Sequence, residues 1–449
     1  MAVNSANQEL RRAPAGGLSI FQEFFKLEAS AGILLLLFSG VALIWANSPW
    51  SQGYFDLWNK TYLTIGLDEW ALSKPLILWI NDGLMAIFFF VVGLEIKREV
   101  LAGELSSIRK AALPIAGAIG GMLFPALIYV AFNAGGPGAK GWGVPMATDI
   151  AFTLGMLALL GAKAPLPLKI FVTALAIVDD IGAVLVIAFF YTANLTVSWL
   201  IVAGVILVLL AAINRMGVKG SIPYAVLGFG LWLAVLYSGV HATIAGILVA
   251  MTIPTRAHTD REEFLTAARQ ALKDYEATIG DLETNGVSRR QAAAWALDVA
   301  SEKAESPLQR MEHELHPWVS YLVMPIFALS NAGVNFSGGD FGSVMSNPIA
   351  IGILGGLAVG KPVGITLLSW AAVKLGLADL PESITFRHII GASLLAGIGF
   401  TMALFIANLA FVDSAELNAA KISILIASAV AGVAGFALLR SLPVTASKG

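Results

Sequence analysis

Residues Ala174–Ala183 read ALAIVDDIGA, two adjacent carboxylates in the middle of an apolar run that extends from about 166 to 191. A helix of that length spans the roughly 30 Å of hydrocarbon in a bilayer. A charge at bilayer mid-depth costs roughly 2.5–3.5 kcal/mol on insertion scales, so Asp179 and Asp180 have no packing rationale there. Neighbours on a helix point about 100° apart, and the two acids cannot share one radius. One can face a water-filled cavity while the other reaches a neighbouring helix. This stretch makes the chain a membrane protein with a polar task inside the membrane.

Working outward, similar apolar segments lie near 29–47, 75–96, 111–132, 143–161, 166–191, 197–213, 222–238, 240–254, 317–336, 347–375, 386–411 and 420–440. The expected fold is all-α and polytopic, with about twelve transmembrane helices. Of 449 residues, 57% are hydrophobic and 13% charged, half the charge of a typical soluble domain, which excludes a soluble enzyme and a disordered chain. With 28 Lys+Arg against 30 Asp+Glu there is no basic footprint for nucleic acid. Zero cysteines exclude disulfide frameworks, thiolate catalysis and Cys-ligated metals.

Short cytoplasmic loops carry the basic excess. One set of alternate connections holds fifteen Lys and Arg, from Arg11 and Arg12 through Lys97, Arg98, Arg109 and Lys110 to Arg440 and Lys448. The other set holds Lys60, Lys74, Lys140 and Lys421. Both termini are therefore expected in the cytoplasm, as an even number of spans requires. The expected layout is a cytoplasmic interfacial segment at 1–28, not read as a cleaved signal; helices one to eight within 29–254; a cytoplasmic loop at 255–316; helices nine to twelve within 317–440; and a cytoplasmic tail at 441–449.

Two connections have their own character. The aromatic loop at about 47–74, with Trp50, Tyr54, Trp58 and Tyr62, contains the strand-like Lys60–Leu67 (KTYLTIGL) and suits an extramembrane β-hairpin. The long loop has Phe264, Ala268, Leu272, Tyr275 and Ile279 at helical spacing. Asn285-Gly286 then reads as a turn before a second helix capped by Ser288.

The remaining charges at depth are Asp82, Asp149 and Lys361, with Glu95 and His241 nearer span ends. Four carboxylates and one amine suit a small cation, or protons, better than an anion or a sugar. Asp149 follows Thr148 in Gly141–Ile150 (GWGVPMATDI), where glycines and Pro145 disfavour a continuous helix. Gly391–Thr401 (GASLLAGIGFT), with Gly397 and Gly399, has the same character near the other end. Such paired interruptions point to inverted-topology repeats. Lys361 sits in Val359–Gly364 (VGKPVG), too deep to snorkel easily, and calls for a carboxylate or exposed helix carbonyls. Asp82 and Glu95, about 20 Å apart along one helix, would line opposite ends of a pathway.

Several blocks together resemble the NhaA-type sodium/proton antiporters of bacterial membranes: Phe24–Ser30 (FFKLEAS), Asn81–Met85 (NDGLM), Gly93–Glu99 (GLEIKRE), Ala147–Phe152 (ATDIAF), Asp179-Asp180, Ser238–Thr243 (SGVHAT), His316–Val319 (HPWV), Gly360–Pro362 (GKP) and Gly397–Met402 (GIGFTM). That family is itself a type case of inverted repeats. The resemblance implies that Asp180 is the main Na⁺ and proton ligand with Asp179 beside it. Thr148 and Asp149 would lie where two broken helices cross, Asp149 balancing their N-termini. Lys361 would balance the C-termini and pair with Asp179 when no sodium is bound. Glu95, Arg98, His241, Arg310, Glu312, His313 and His316 match positions linked to pH response or to the funnels. The family is dimeric through an extramembrane β-hairpin. The departure is the loop from about 254 to 310, longer than the family minimum.

The expected function is secondary antiport, not enzymatic: export of Na⁺ or Li⁺ for external protons across the bacterial inner membrane, with alternating access, pH regulation, lipid as the solvent and no cofactor. A phosphate-binding loop is missing from the sequence, so ATP is not the drive. The rivals are a cation channel, which would select without coupling, and an intramembrane aspartyl protease. The protease needs acids facing each other from different helices, which adjacent residues cannot supply.

Overall fold

A computed structural model describes residues 16–66, 71–192, 195–257, 261–278, 284–336, 342, 346–381 and 383–443. Its helices are α1 (Gly16–Ala46), α2 (Ser51–Asn59), α3 (Leu76–Ala102), α4 (Ile108–Asn133), α5 (Ile150–Leu159), α6 (Leu166–Phe190), α7 (Val197–Arg215), α8 (Ser221–Ser238), α9 (Ile244–Thr252), α10 (Arg261–Glu276), α11 (Thr284–Ala304), α12 (Pro307–Trp318), α13 (Met324–Asn331), α14 (Pro348–Lys374), α15 (Phe386–Ala396), α16 (Phe400–Ala410) and α17 (Ser414–Ser441). The protein is an all-α polytopic membrane protein. Among the described residues, eight helices are long and apolar enough to cross a bilayer, or ten if each of two bent pairs is one span.

Two of the twelve expected spans are not among these ten. The segment 240–254 gives only α9, because Gly239 adopts a left-handed φ of 85° that ends α8 before it. The segment 317–336 is split into α12, a π-turn at Val319–Val323 and α13. Pro325 lies just beyond that π-turn, and Pro362 just beyond another at Gly356–Gly360 inside α14. A proline has no N–H to give, and its ring crowds the carbonyl four residues back, so the helix widens by one residue. The Lys361 amide accordingly reaches back five residues to the Gly356 carbonyl.

The chain divides into two compact units. The first is formed by residues 1–88, 99–193 and 317–449. Its centre is the crossing of α4 and α14, where Gly120 and Gly364 stand back to back. A Cβ on either would meet the other's carbonyl oxygen at 2.0 or 2.1 Å, so only glycine permits this approach. Helix starts here carry the expected polar caps: Asp413 accepts from the Ala415 and Glu416 amides, and Asn347 from that of Ile349. The aromatic loop contains β1 (Tyr62–Ile65) and β2 (Leu72–Pro75), paired antiparallel with Tyr62 opposite Pro75 and Ile65 opposite Leu72. Tyr54 of α2 is buried, and its hydroxyl bonds the Leu329 and Ser330 carbonyls at the end of α13.

The second unit comprises residues 89–98 and 194–316. Lys97 donates to the Met251 and Ile253 carbonyls at 2.7 and 2.6 Å, capping the C-terminal end of α9. The long loop holds the helical pair α10 and α11. Asn285-Gly286 is not the turn between them: both lie in the first turn of α11, so Ser288 is not its cap. The first turn makes no i−4 amide bonds, and poor helix formers cost little there. The Leu308 amide donates to the Pro254 carbonyl at 3.2 Å, pinning together the two ends of this insertion.

Candidate functional site: two broken helices and a buried ion pair

Within the first unit the chain breaks twice. Residues Pro137–Met146 form a 3₁₀ helix, Ala147 to Asp149 are extended, and α5 begins at Ile150. The second break lies at Gly397 to Gly399, between α15 and α16, which bend by 45°. The breaks meet: the Asp149 amide donates to the Ile398 carbonyl at 2.7 Å. Gly397 is required there, since a Cβ on it would meet the backbone oxygen of Leu357 at 2.6 Å, and a Cβ on Gly399 would press on Leu357 Cδ2 at 2.9 Å.

Four helix ends therefore converge with their partial charges, positive at N-termini and negative at C-termini. Asp149 is 1% exposed and serves both N-termini. Its Oδ1 accepts from the Phe152 amide of α5 at 3.0 Å, and its Oδ2 from the Thr401 amide of α16 at 2.9 Å and from the Thr401 hydroxyl. The C-terminal ends find donors as well. Thr148 Oγ1 lies 3.1 Å from the Ala396 carbonyl, Thr153 donates to that of Leu395 at 3.2 Å, and the Lys361 ammonium donates to that of Met146.

Lys361, fully buried, also donates to Asp179 Oδ2 at 2.6 Å, and Thr148 Oγ1 approaches the same oxygen at 2.6 Å. The Thr148 hydroxyl has one proton and faces two acceptors, so it serves Asp179 or Ala396 but not both. Asp179 Oδ1 is buried and takes no hydrogen bond among the described residues. Asp180, 2% exposed and next on α6, lies within electrostatic reach of Lys361. A buried pair of this kind is held by geometry: removing one partner costs roughly 3–5 kcal/mol.

Thus Thr148, Asp149, Asp179, Asp180, Lys361, Gly397 and Gly399 come together. Asp82 stands apart, in the π-turn at Trp79–Leu84, paired with Lys74 of β2 at 2.8 Å. The other predicted residues belong to the second unit. Arg98 binds Glu312 at 2.7 Å and lies 4.0 Å from Glu95, and Arg310 reaches Ser221 at 3.5 Å. His241 bonds Thr243 at 2.8 Å, while His313 is exposed and His316 half-buried on α12.

This arrangement accompanies close sequence relatives. The model of the family described as Na⁺/H⁺ antiporter 1 matches residues 22–439. The chain belongs to the Na⁺/H⁺ antiporter 1 family. It is 54% identical over 426 residues to the Na⁺/H⁺ antiporter NhaA of Oleidesulfovibrio alaskensis, covering 95% of this chain and 94% of the relative. The NhaA 2 of Syntrophotalea carbinolica is 51% identical (93% and 95% covered), and the NhaA of Koribacter versatilis 49% (94% and 91%). These are named as antiporters, a class of transporter and not of enzyme.

Several residues of the antiporter's crossing were missed in the sequence reading. Thr401 and Thr153 escaped because threonine is common in membrane helices, although Thr401 directly follows Gly-Ile-Gly-Phe. Elsewhere in the first unit, an amide cluster of the buried Asn81 and Asn331 and the half-buried Asn408, with Asn331 bonded to both others, gave no sequence signal beyond three polar residues in apolar runs.

Proposed function

We propose that this antiporter exports Na⁺, or Li⁺, in exchange for external protons, which compete for the Asp179/Asp180 site as it opens alternately to the two sides. The observation that carries the reading is the open acceptor Asp179 Oδ1, beside Asp180 and opposite the Lys361 ammonium that occupies Oδ2. An incoming cation needs oxygen ligands to replace its water, and two carboxylates and the Thr148 hydroxyl are at hand. Sodium would displace the Lys361 ammonium from Asp179, freeing it for the Met146 carbonyl. When sodium leaves, protons or the ammonium restore the balance. In this reading Asp149 keeps the two N-termini neutralised throughout and carries no cargo.

The basic loops support cytoplasmic termini in a bacterial inner membrane. The β1–β2 hairpin supports a homodimer, since each strand of a two-stranded sheet is an edge strand. The Arg98, Glu95 and Glu312 cluster supports control by pH. The test is proton movement in inverted vesicles on adding Na⁺, Li⁺ or K⁺ to the wild type and to Asp180→Asn. Sodium- and lithium-driven proton flux in the wild type, lost in the mutant, is the expected outcome. Cation flux without proton counterflow would refute exchange.

A further inference from the structure

The half-helix α15 is fastened at both ends by side chains. Its inner end is the Leu395 carbonyl, held by Thr153, and the Ala396 carbonyl, which lies 3.1 Å from Thr148 Oγ1. At its outer end His388, 2% exposed, folds back on Thr385, the residue that starts the helix. The Thr385 amide donates to His388 Nδ1 at 3.1 Å, and the Thr385 hydroxyl lies 2.9 Å from the same nitrogen. This is a capping box in which an imidazole stands where Glu or Gln usually accepts. A ring nitrogen that accepts from an N–H carries no proton of its own, so the ring hydrogen is on Nε2. Nε2 is buried and bonds nothing among the described residues.

We propose that His388 is a positioning residue for the helix crossing, holding α15 in place only while its imidazole is neutral. The inference rests on the transport reading above. An imidazolium donates from both nitrogens, which would set Nδ1–H against the Thr385 N–H, and the box must open. Acid at this end therefore unfastens the helix whose other end holds Thr148 beside Asp179. Among the described residues the imidazole makes no ion pair. Lys374 of α14, Arg440 of α17 and Lys169 of α6, on helices packed against α15, do not pair with it, nor does Arg387. Asp379 is bound by Arg109 at 3.1 Å, and Glu382 is outside the described residues.

Glutamine can take the acceptor role without titrating, which separates a proton switch from a merely structural contact. The full-length wild type, His388→Gln and His388→Ala would be compared in proteoliposomes at saturating sodium, which removes competition at the aspartates. The wild-type maximal rate should fall on the acid side, and the limb for His388→Gln should lie about one pH unit lower. Hydrogen exchange, corrected for intrinsic rate, should show first-turn amides of α15 losing about tenfold in protection on acidification in the wild type, but not in His388→Gln. His388→Ala should lack that protection at every pH, with glutamine restoring it. Superimposable rate profiles for wild type and His388→Gln, or wild-type protection that ignores pH, would overturn the proposal. A wild type that moves no protons with sodium would instead remove the transport reading, and the exchange measurement would still decide whether His388 fastens the helix.

Discussion

Gly364→Ala tests how closely the ion pair depends on backbone packing some distance from it. A methyl at this position would lie 2.1 Å from the Gly120 carbonyl oxygen and 2.9 Å from Phe124 Cβ, where real Cβ atoms essentially never come within 3.0 Å. The Gly120 contact is backbone and cannot rotate away, so α14 must withdraw from α4 by about 0.9 Å. Lys361 sits one turn away on the same helix and moves with it. Its 2.6 Å bond to Asp179 would stretch to about 3.5 Å, outside hydrogen-bond range. Overpacking of this kind costs about 1–3 kcal/mol in stability, and an error of about 1 Å at a reacting centre costs up to about a hundredfold in rate. Gly364→Ala should therefore insert and fold, yet lose between about tenfold and a hundredfold in sodium-driven proton flux. Gly204→Ala on α7 and Gly40→Ala on α1, where a Cβ meets nothing within 4 Å, serve as controls and should transport normally. The assay is dye-reported acidification in everted vesicles, normalised to the amount of antiporter. Wild-type rate and sodium affinity in Gly364→Ala would show that this contact does not set the position of Lys361.

Three further outcomes are expected. Asp180→Asn should abolish exchange while the protein still inserts, because the amide keeps the shape but neither titrates nor offers a charge to a dehydrated cation; proton flux like that of the wild type would remove Asp180 from the site. Deleting about 260–305 with a short flexible linker should leave transport intact and at most move its pH profile, since Pro254 and Leu308 already meet; complete loss in a folded deletion would make the hairpin part of the machinery. Below the apparent pKa of the aspartate pair, the sodium KM should rise about tenfold per pH unit for each competing proton; a pH-independent KM with a changing maximal rate would favour a separate sensor, Glu95 and Glu312 first.

What the sequence discloses here follows from the cost of burial. Asp179, Asp180, Asp149 and Lys361 stood out because nothing but a partner or a cargo justifies a charge in an apolar run, and the structure gathers them at one crossing. The β-hairpin was legible from the strand-like Lys60–Leu67. Neutral groups were harder. Thr401 and Thr153 cost little to bury alone, and a Gly120–Gly364 contact joins positions more than 240 residues apart that no local pattern links. Two spans are irregular where one residue changes the backbone: at the positive φ of Gly239, and where Pro325 widens the helix before it. Asn285-Gly286 misled because a turn-forming pair is equally at home in a first helical turn.

The charges at the crossing also bear on why a cation is the fitting cargo. The two N-terminal and two C-terminal helix ends carry about half a charge each and offset one another. Asp149 sits on the N-termini and binds both, which leaves the C-terminal carbonyls needing a positive neighbour, and Lys361 supplies it at Met146. The same ammonium also meets Asp179, so one cation stands between two demands. Since the helix ends cancel, the formal charges decide: Asp149, Asp179 and Asp180 against Lys361 leave two negative charges at the crossing. Cations, whether sodium or protons, suit such a site, and an anion would deepen a buried deficit with no partner to offset it. Asp149 supplies one of the three carboxylates in that balance, so in the proposed mechanism replacing it with asparagine should weaken sodium binding although that side chain touches only protein.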